Sequence, residues 1–410
     1  MTDLLERAPA ILGFDPFDPE YRRDPYPVYH ALRTAGPVQR TEGGLVLALS
    51  HDVCSAVFRD PRFGHQSGVA NPIPFRAPAS TAAATGGGTR WFVVLDPPDH
   101  TRLRRLVSRG FTPALIEEMI GAVTRLSEEL LDDMLDAGGG DLLADWAYPL
   151  SLTVISEILG VPHSDRGLLK HWSAVIGRGI DPDFVMPPAE RELRGQVWRE
   201  FSAYFTDLAA RRRADPGTDV LSKLAIAEED GDALTMDELV ATCTLILMAG
   251  HETVVDLFGG GTLALLADPE QRRLLAARPE LAGSAVDELL RFDPPVQMVA
   301  RTALTDLEIG GVPMRRGEMI MAVIGAANRD PAVYDRPDRL DLTRQGPRHL
   351  AFGLGIHYCL GAPLGRMQGR VGFRTLLAKA RSLRLDTDRL TYRDNLMSRG
   401  LAALPVRIER

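Results

Sequence analysis

Cys359 lies in the segment HLAFGLGIHYCLGAPLGRMQGRVGFRTLLAKA, residues 349 to 380, just ahead of a strongly helical stretch beginning around Leu360. A cysteine placed there faces a helix N-terminus, where the macrodipole and unpaired N–H groups lower the thiol pKa and stabilise a sulfur anion. The chemistry on offer is metal ligation through a thiolate. Gly353, Gly355 and Gly361 let the backbone approach a flat ligand closely. A second reactive cluster is Ala249-Gly250-His251-Glu252-Thr253, inside a long apolar stretch. Ala249 and Gly250 leave room for a ligand, and the Thr253 hydroxyl can return to the Ala249 carbonyl and loosen the helix. An acid beside a hydroxyl, Glu252 and Thr253, can relay protons through water.

Other readings of the same residues fail on spacing. A zinc-protease helix needs a second histidine four residues after His251, where Val255 stands. A dinucleotide loop starting at Gly353 needs glycine at its sixth position, where Tyr358 stands. His100 and Arg104 are four apart and share a helix face. Glu288 and Arg291, three apart, precede Asp293-Pro294-Pro295, where a helix must stop, so a buried pair with a scaffold role is expected rather than a surface pair.

These groups need elements to position them. From about Pro113 to Arg291 apolar residues recur at helical spacing, as in 115 to 135 and 197 to 213. Thr235 with Glu238 forms a capping box that opens a helix running past Met248. Strand-like segments lie at 44 to 50, 307 to 314 and 318 to 326. The expected fold is mostly α with a small β region. Two stretches rich in Gly, Pro, Ala and Thr, 66 to 89 and 177 to 190, read as mobile loops, and the chain from 1 to 410 as one domain. Asp256 and the run Gly259-Gly260-Gly261 are unusual in a helix, since glycine disfavours helix by up to about 1 kcal/mol per residue; they signal either close packing or flexibility.

With 45% hydrophobic and 25% charged residues in 410, the chain is neither disordered nor fibrous. A net charge of −8 gives no global attraction to nucleic acid or anionic membrane. Three widely spaced cysteines argue against a disulfide framework and for a reducing compartment. Charges within the first seven residues, and no run of about 18 apolar residues, argue against a signal peptide and a membrane span, so a cytoplasmic protein is expected.

The pattern Phe352-Gly353-x-Gly355-x-His357-x-Cys359-x-Gly361 resembles the haem-binding signature of the cytochrome P450 family. The 249 to 253 segment resembles that family's oxygen-binding helix, Glu288-x-x-Arg291 its helix pair, and Arg336-Pro337-Asp338-Arg339 its meander, with Leu340 where phenylalanine is usual. The resemblance implies a triangular prism of helices holding haem b between the central long helix and the Cys-loop helix. It implies Cys359 as the axial iron ligand, with Phe352, Gly353 and Gly361 shaping its loop. His100, Arg104, Arg301 and His357 are then the partners of the haem propionates, and Arg339 is the third member of the Glu288/Arg291 cluster. Ala249, Gly250, Glu252 and Thr253 become the catalytic residues of a monooxygenase.

By the same resemblance the distal pocket is lined by Trp91, Phe92, Val93, Leu245, Met248, Val296, Met298, Val299, Leu396 and Met397, an apolar, methionine-bearing wall suited to a fairly large lipophilic molecule such as a polyketide, macrolide or other secondary metabolite. Electrons are expected from a ferredoxin and its reductase, docking near Arg102, Arg105, Arg366 and Arg370, on a monomer. A peroxide-driven peroxygenase and a non-catalytic haem-binding accessory protein are the alternatives.

Overall fold

The computed structural model describes residues 8–65, 91–176, 187–229 and 232–410. The expected loop at 66 to 89 lies outside the described residues, as does most of 177 to 190, whose last residues, from Pro188, open a helix instead. The protein is mostly helical with small sheets, as expected. By internal contacts the chain divides into two compact units, each traversed more than once: Pro74–Glu117 with Ser151–Glu252, and Met1–Ile73 with Glu118–Leu150 and Thr253–Arg410.

The smaller unit holds α1 (Asp99–Ser108), helices Arg166–Ile176 and Pro188–Ala214, and α2 (Met236–Gly250). Its aromatic core stacks Phe205 on Phe201 at 4.3 Å, sets Trp172 edge-on to Phe201 at 5.4 Å and Trp91 against Trp198 at 5.3 Å. The capping box is present. The Thr235 hydroxyl accepts from the Glu238 N–H at 3.2 Å, and the Glu238 carboxylate accepts from the Thr235 N–H at 2.9 Å, satisfying two donors that a helix start leaves open. Every residue from Leu239 to Met248 is buried, the mark of a core helix that is apolar all round. By mean hydropathy, 1.3, Met236–Ala267 is long and apolar enough to cross a membrane, yet 72% of its most apolar window is buried in the protein. That burial, with Glu252 and Asp256 interrupting the run, marks it as core.

The larger unit contains a five-stranded sheet of β1 (Val38–Arg40), β2 (Val46–Ala48), β3 (Phe63–Gly64), β4 (Met298–Ala303) and β5 (Met319–Val323), in the order β1-β2-β5-β4-β3. Only the β2–β5 pairing is parallel. A hairpin, Leu307–Ile309 with Val312–Met314, turns at Gly310 and Gly311, whose φ of 56° and 80° suit glycine. Sequence reading missed β4, because MVARTA carries an arginine at a position the fold buries, which spoils the alternation that marks a strand.

Three helices bear on the Cys359 loop and its surroundings: α3 (Glu252–Ala267), α4 (Ala282–Phe292) and α5 (Ala362–Lys379). The glycines of α3 are explained by packing. A side chain added at Gly261 would lie 2.5 Å from the Phe373 ring and 3.2 Å from Leu289, and one at Gly259 3.1 Å from Leu143. The contact is reciprocal: Phe258 of α3 fills the gap over Gly372 of α5, and Gly369 of α5 admits Val286 of α4 and Leu257 of α3. The Phe258 and Phe373 rings meet at 5.5 Å. Gly261→Ala is therefore expected to lower unfolding stability by about 2 kcal/mol through overpacking. Gly283→Ala, in open space on α4, should leave it unchanged or raise it by up to about 1 kcal/mol. Denaturant titration of both variants checks this, and equal effects would refute the packing account.

Candidate active site

The Cys359 loop is built by backbone bonds and left-handed glycines. Gly353 and Gly355 sit at φ of 66° and 70°, where a side chain is strained, and at Gly355 an added Cβ would also strike the Phe58 carbonyl oxygen. The Gly353 N–H donates to the Leu350 carbonyl at 2.8 Å, and the Cys359 N–H to that of Phe352 at 2.9 Å. α5 begins at Ala362 with Gly361 as its N-cap, two residues later than the sequence suggested. The Ala362 N–H donates to the Cys359 carbonyl at 3.3 Å, so the cysteine ends in the open mouth of the helix start. Cys359 is exposed while Cys54 and Cys243 are buried, and burial pushes both of those thiols far up from their ordinary value. Beside this loop His357 sets its ring across that of His65 at 5.1 Å, and Arg301, buried on β4, donates to the Ala300 carbonyl and covers the Phe58 ring at 5.5 Å.

Behind the loop sits a buried charge network. Arg291 forks onto Glu288 at 2.7 and 2.9 Å, both side chains being almost wholly buried. Its remaining donors reach the carbonyls of Asn328, Pro337 and Arg339. Arg339 thus gives only its backbone; its side chain is exposed. The third member of the cluster is Arg344, whose guanidinium lies 3.1 Å from Glu288, which corrects the expectation for Arg339. The signal was available as an arginine four residues past Leu340, but nothing in spacing alone ranks Arg344 above Arg339. Because buried charge is tolerated only when fully paired, the network fixes the meander backbone. It also reaches the Cys loop, since Asn328, whose carbonyl serves Arg291, accepts the Leu350 N–H on its side chain at 2.7 Å.

A second group of bonds holds Tyr358 and Phe352. The Tyr358 hydroxyl receives Arg348 at 2.5 Å and Arg366 at 3.0 Å, and Arg366 also pairs with Asp287 at 2.7 Å and covers the Phe352 ring. Burial opposes ionisation of Asp287, but hydrogen bonds from His349 and Arg366 outweigh it and hold the carboxyl below its usual range. A cleft of about 440 Å³ opens there, lined in part by Arg344, Arg348, His349 and Arg366; none of the residues expected to line the substrate pocket borders it.

In the smaller unit, α2 stops at Gly250 and the next helix starts at Glu252, with buried His251 between them donating from Nδ1 to the Leu247 carbonyl at 2.8 Å. The helix is thus interrupted where loosening was expected. Ala249 is exposed directly after the fully buried run ending at Met248. Gly250 differs from expectation: the space over it is taken by Ile155, so its missing side chain serves packing and the open surface belongs to Ala249. Glu252 and Thr253 are half-buried. On α1, buried His100 and half-buried Arg104 share a face one turn apart, and Phe92 lies 6.4 Å from the His100 ring. Arg102 is occupied by Asp232, at 2.9 Å, and Glu238, which weakens its candidacy as a docking residue, whereas Arg105 and Arg370 are exposed.

Of the expected pocket residues, Trp91, Phe92, Leu245 and Met248 are buried and Val93 is exposed. In the larger unit Val296 bridges Ser398, and the Gln297 N–H donates to the Met397 carbonyl at 2.9 Å, so Val296, Leu396 and Met397 come together. Met298 and Val299 are consecutive on β4 and point to opposite faces, so they cannot both line one wall; Val299 lies against the sheet core. Within the larger unit the residues present fit a haem: an exposed thiol at a helix start and left-handed glycines that clear the approach to it.

Two outcomes follow from this geometry. In haem-free protein at about pH 8, iodoacetamide should label Cys359 and spare Cys54 and Cys243 until unfolding, read by mass spectrometry; equal labelling of Cys243 would contradict the burial argument. Arg344→Ala should cost about 2 kcal/mol by removing one of the two guanidinium partners of buried Glu288, against at most about 0.5 kcal/mol for Arg339→Ala. Denaturation of the two variants decides between them.

The family model for cytochrome P450 matches residues 278–405. The vitamin D(3) 25-hydroxylase of Pseudonocardia autotrophica is 39% identical over 399 residues, covering 96% of each chain. The polyketide biosynthesis cytochrome P450 PksS of Bacillus subtilis is 37% identical over 410 residues, covering 97% of this chain and 99% of that one, and its solved structure superposes with a TM-score of 0.87 at 36% identity, covering 97% and 100%. The structure of P450BioI in complex with an acyl carrier protein ligated to hexadec-9Z-enoic acid matches at a TM-score of 0.87 and 35% identity, covering 95% and 99%. Such relatives bind haem b through a cysteine thiolate and are oxidoreductases. The chain belongs to the cytochrome P450 family and is a haem-thiolate monooxygenase.

Proposed function

We propose that Cys359 would hold the haem as its thiolate ligand and that the enzyme inserts one oxygen atom from dioxygen into a C–H bond or alkene of a fairly large lipophilic small molecule, a polyketide, macrolide or other secondary metabolite. The observation that carries the reading is the exposed Cys359 at the start of α5, held by a loop whose glycines adopt φ of 66° and 70°. Bound there, haem b supplies dioxygen binding and two-electron oxidation.

The chain's own residues do the rest. Cys359 donates electron density, while the α5 N-terminus steadies its negative charge. Phe352, Gly353 and Gly361 keep the loop open on the sulfur side. His100, Arg104, Arg301 and His357 would hold the propionates through charge-assisted bonds, which anchor an otherwise apolar cofactor. Ala249 would leave room for the small ligand, the Glu252 carboxyl would hold a proton, and the Thr253 hydroxyl would pass it on. Leu245, Met248, Val296, Leu396 and Met397 would each offer the substrate apolar surface that excludes water. The named activities of the relatives, a vitamin D(3) hydroxylase and a P450 of polyketide biosynthesis, support the size and lipophilicity of that substrate.

Electrons come from a separate ferredoxin and ferredoxin reductase, drawn to exposed Arg105 and Arg370. Residues 1 to 410 act as one catalytic domain, as a monomer in the cytoplasm. The reduced protein with carbon monoxide should show the red-shifted band of a thiolate-bound haem. Cys359→Ser should abolish it; its persistence would overturn the ligand assignment. Thr253→Ala should keep that band and lower the product formed per NADPH consumed by roughly a hundredfold.

A further inference from the structure

Asp256 lies three residues after Thr253 on α3, hence on the same helix face, and is buried. Its carboxylate pairs with the guanidinium of Arg393, distant in sequence. Arg393 stands at the base of a tight β-like turn spanning 391 to 402. Tyr392 bridges Leu401, the Arg393 N–H donates to the Gly400 carbonyl at 2.9 Å, and the Ala402 N–H to that of Thr391 at 2.8 Å. Gly400 makes room for the pair, since an added Cβ would fall on both the Asp256 carboxylate and the Arg393 guanidinium.

The tip of the turn carries Leu396 and Met397 and is stitched to 295–297 by the Val296–Ser398 bridge, the Gln297-to-Met397 bond and the Arg399 N–H donating to Pro295 at 2.7 Å. A second pin lies beyond the tip. Arg399 meets Asp293 at 3.1 Å, and Asp293 is in turn held by the Tyr26 hydroxyl at 2.7 Å. The turn is therefore tied at three places, residues 295–297, Asp293 and, through Asp256, the helix that begins with Glu252 and Thr253. A buried carboxylate on a core helix is expensive to keep, and here its partner is not a scaffold element but the turn that presents two apolar side chains.

We propose that Asp256 and Arg393 are positioning residues for specificity: their ion pair sets how far Leu396 and Met397 stand from the Thr253 helix, and so which bulky ligands fit and which of their carbons is presented. The proposal rests on the reading that this turn faces the substrate. Small ligands that bind without reaching the turn are indifferent to the pair.

Two azoles test this in the purified holoprotein, because both report by a spectral shift and neither requires the natural substrate. Clotrimazole is bulky enough to touch the turn; imidazole is not. Asp256→Ala and Arg393→Ala should each weaken clotrimazole roughly tenfold, leave imidazole within about twofold, and be no worse when combined. Arg393→Lys, keeping the charge, should recover most of the affinity, and amide hydrogen exchange should rise in 391 to 402 in both alanine variants. Gly400→Ala, which removes neither charge, should behave like them. If Asp256→Ala is poorly produced, Asp256→Asn serves, with the same expectation. Parallel weakening of both azoles, additive effects in the double variant, or unchanged clotrimazole binding would each overturn the proposal. Absence of any azole shift in the unaltered protein would instead sink the haem assignment beneath it.

Discussion

Two aromatic rings seated in glycine gaps set the spacing on which the rest of the larger unit depends. Phe373 of α5 lies over Gly261 of α3, and Phe258 of α3 lies over Gly372 of α5. Each ring occupies the volume a Cβ would need, so the two helices approach more closely than side-chain-to-side-chain packing allows. One of these helices opens beside Thr253 and the other follows the Cys359 loop. Contact between them fixes the start of α3, with Thr253, and the Cys359 loop ahead of α5 with respect to each other. Glycine's weakness as a helix former is outweighed by the burial gained on both sides.

The second constraint is electrostatic. Glu288, Arg291 and Arg344 form a buried cluster in which each carboxylate oxygen and most guanidinium donors are used, and the meander carbonyls complete it. Such a cluster is poor at adding net stability and good at enforcing one geometry, because any slip leaves a charge unpaired in low dielectric. Asn328 transmits that rigidity to the Cys loop through the Leu350 N–H. Arg348, Arg366 and Asp287 hold the same loop from its other flank through Tyr358 and Phe352.

What was legible in the sequence was local or motif-bound. The capping box at Thr235, the helical middle, the Gly310-Gly311 turn and the Cys359 loop each depend on residues a few positions apart, so their types and spacing are enough. What was not legible depends on contacts between distant segments. Arg344 and Arg339 are equally plausible partners for Glu288 until the meander is folded. Gly250 and Ala249 read alike until Ile155 is seen over one of them. Asp256 and the glycines after it looked anomalous on a helix taken alone and make sense only beside Arg393 and Phe373. Strand β4 hid because its buried arginine breaks the apolar alternation.

The account turns on one bond, from the sulfur of Cys359 to a haem iron. Iron K-edge X-ray absorption of the purified, haem-loaded protein measures it directly. The account predicts a single sulfur scatterer in the first coordination shell, lost on Cys359→Ser. A shell made of nitrogen and oxygen alone in the unaltered protein would contradict it.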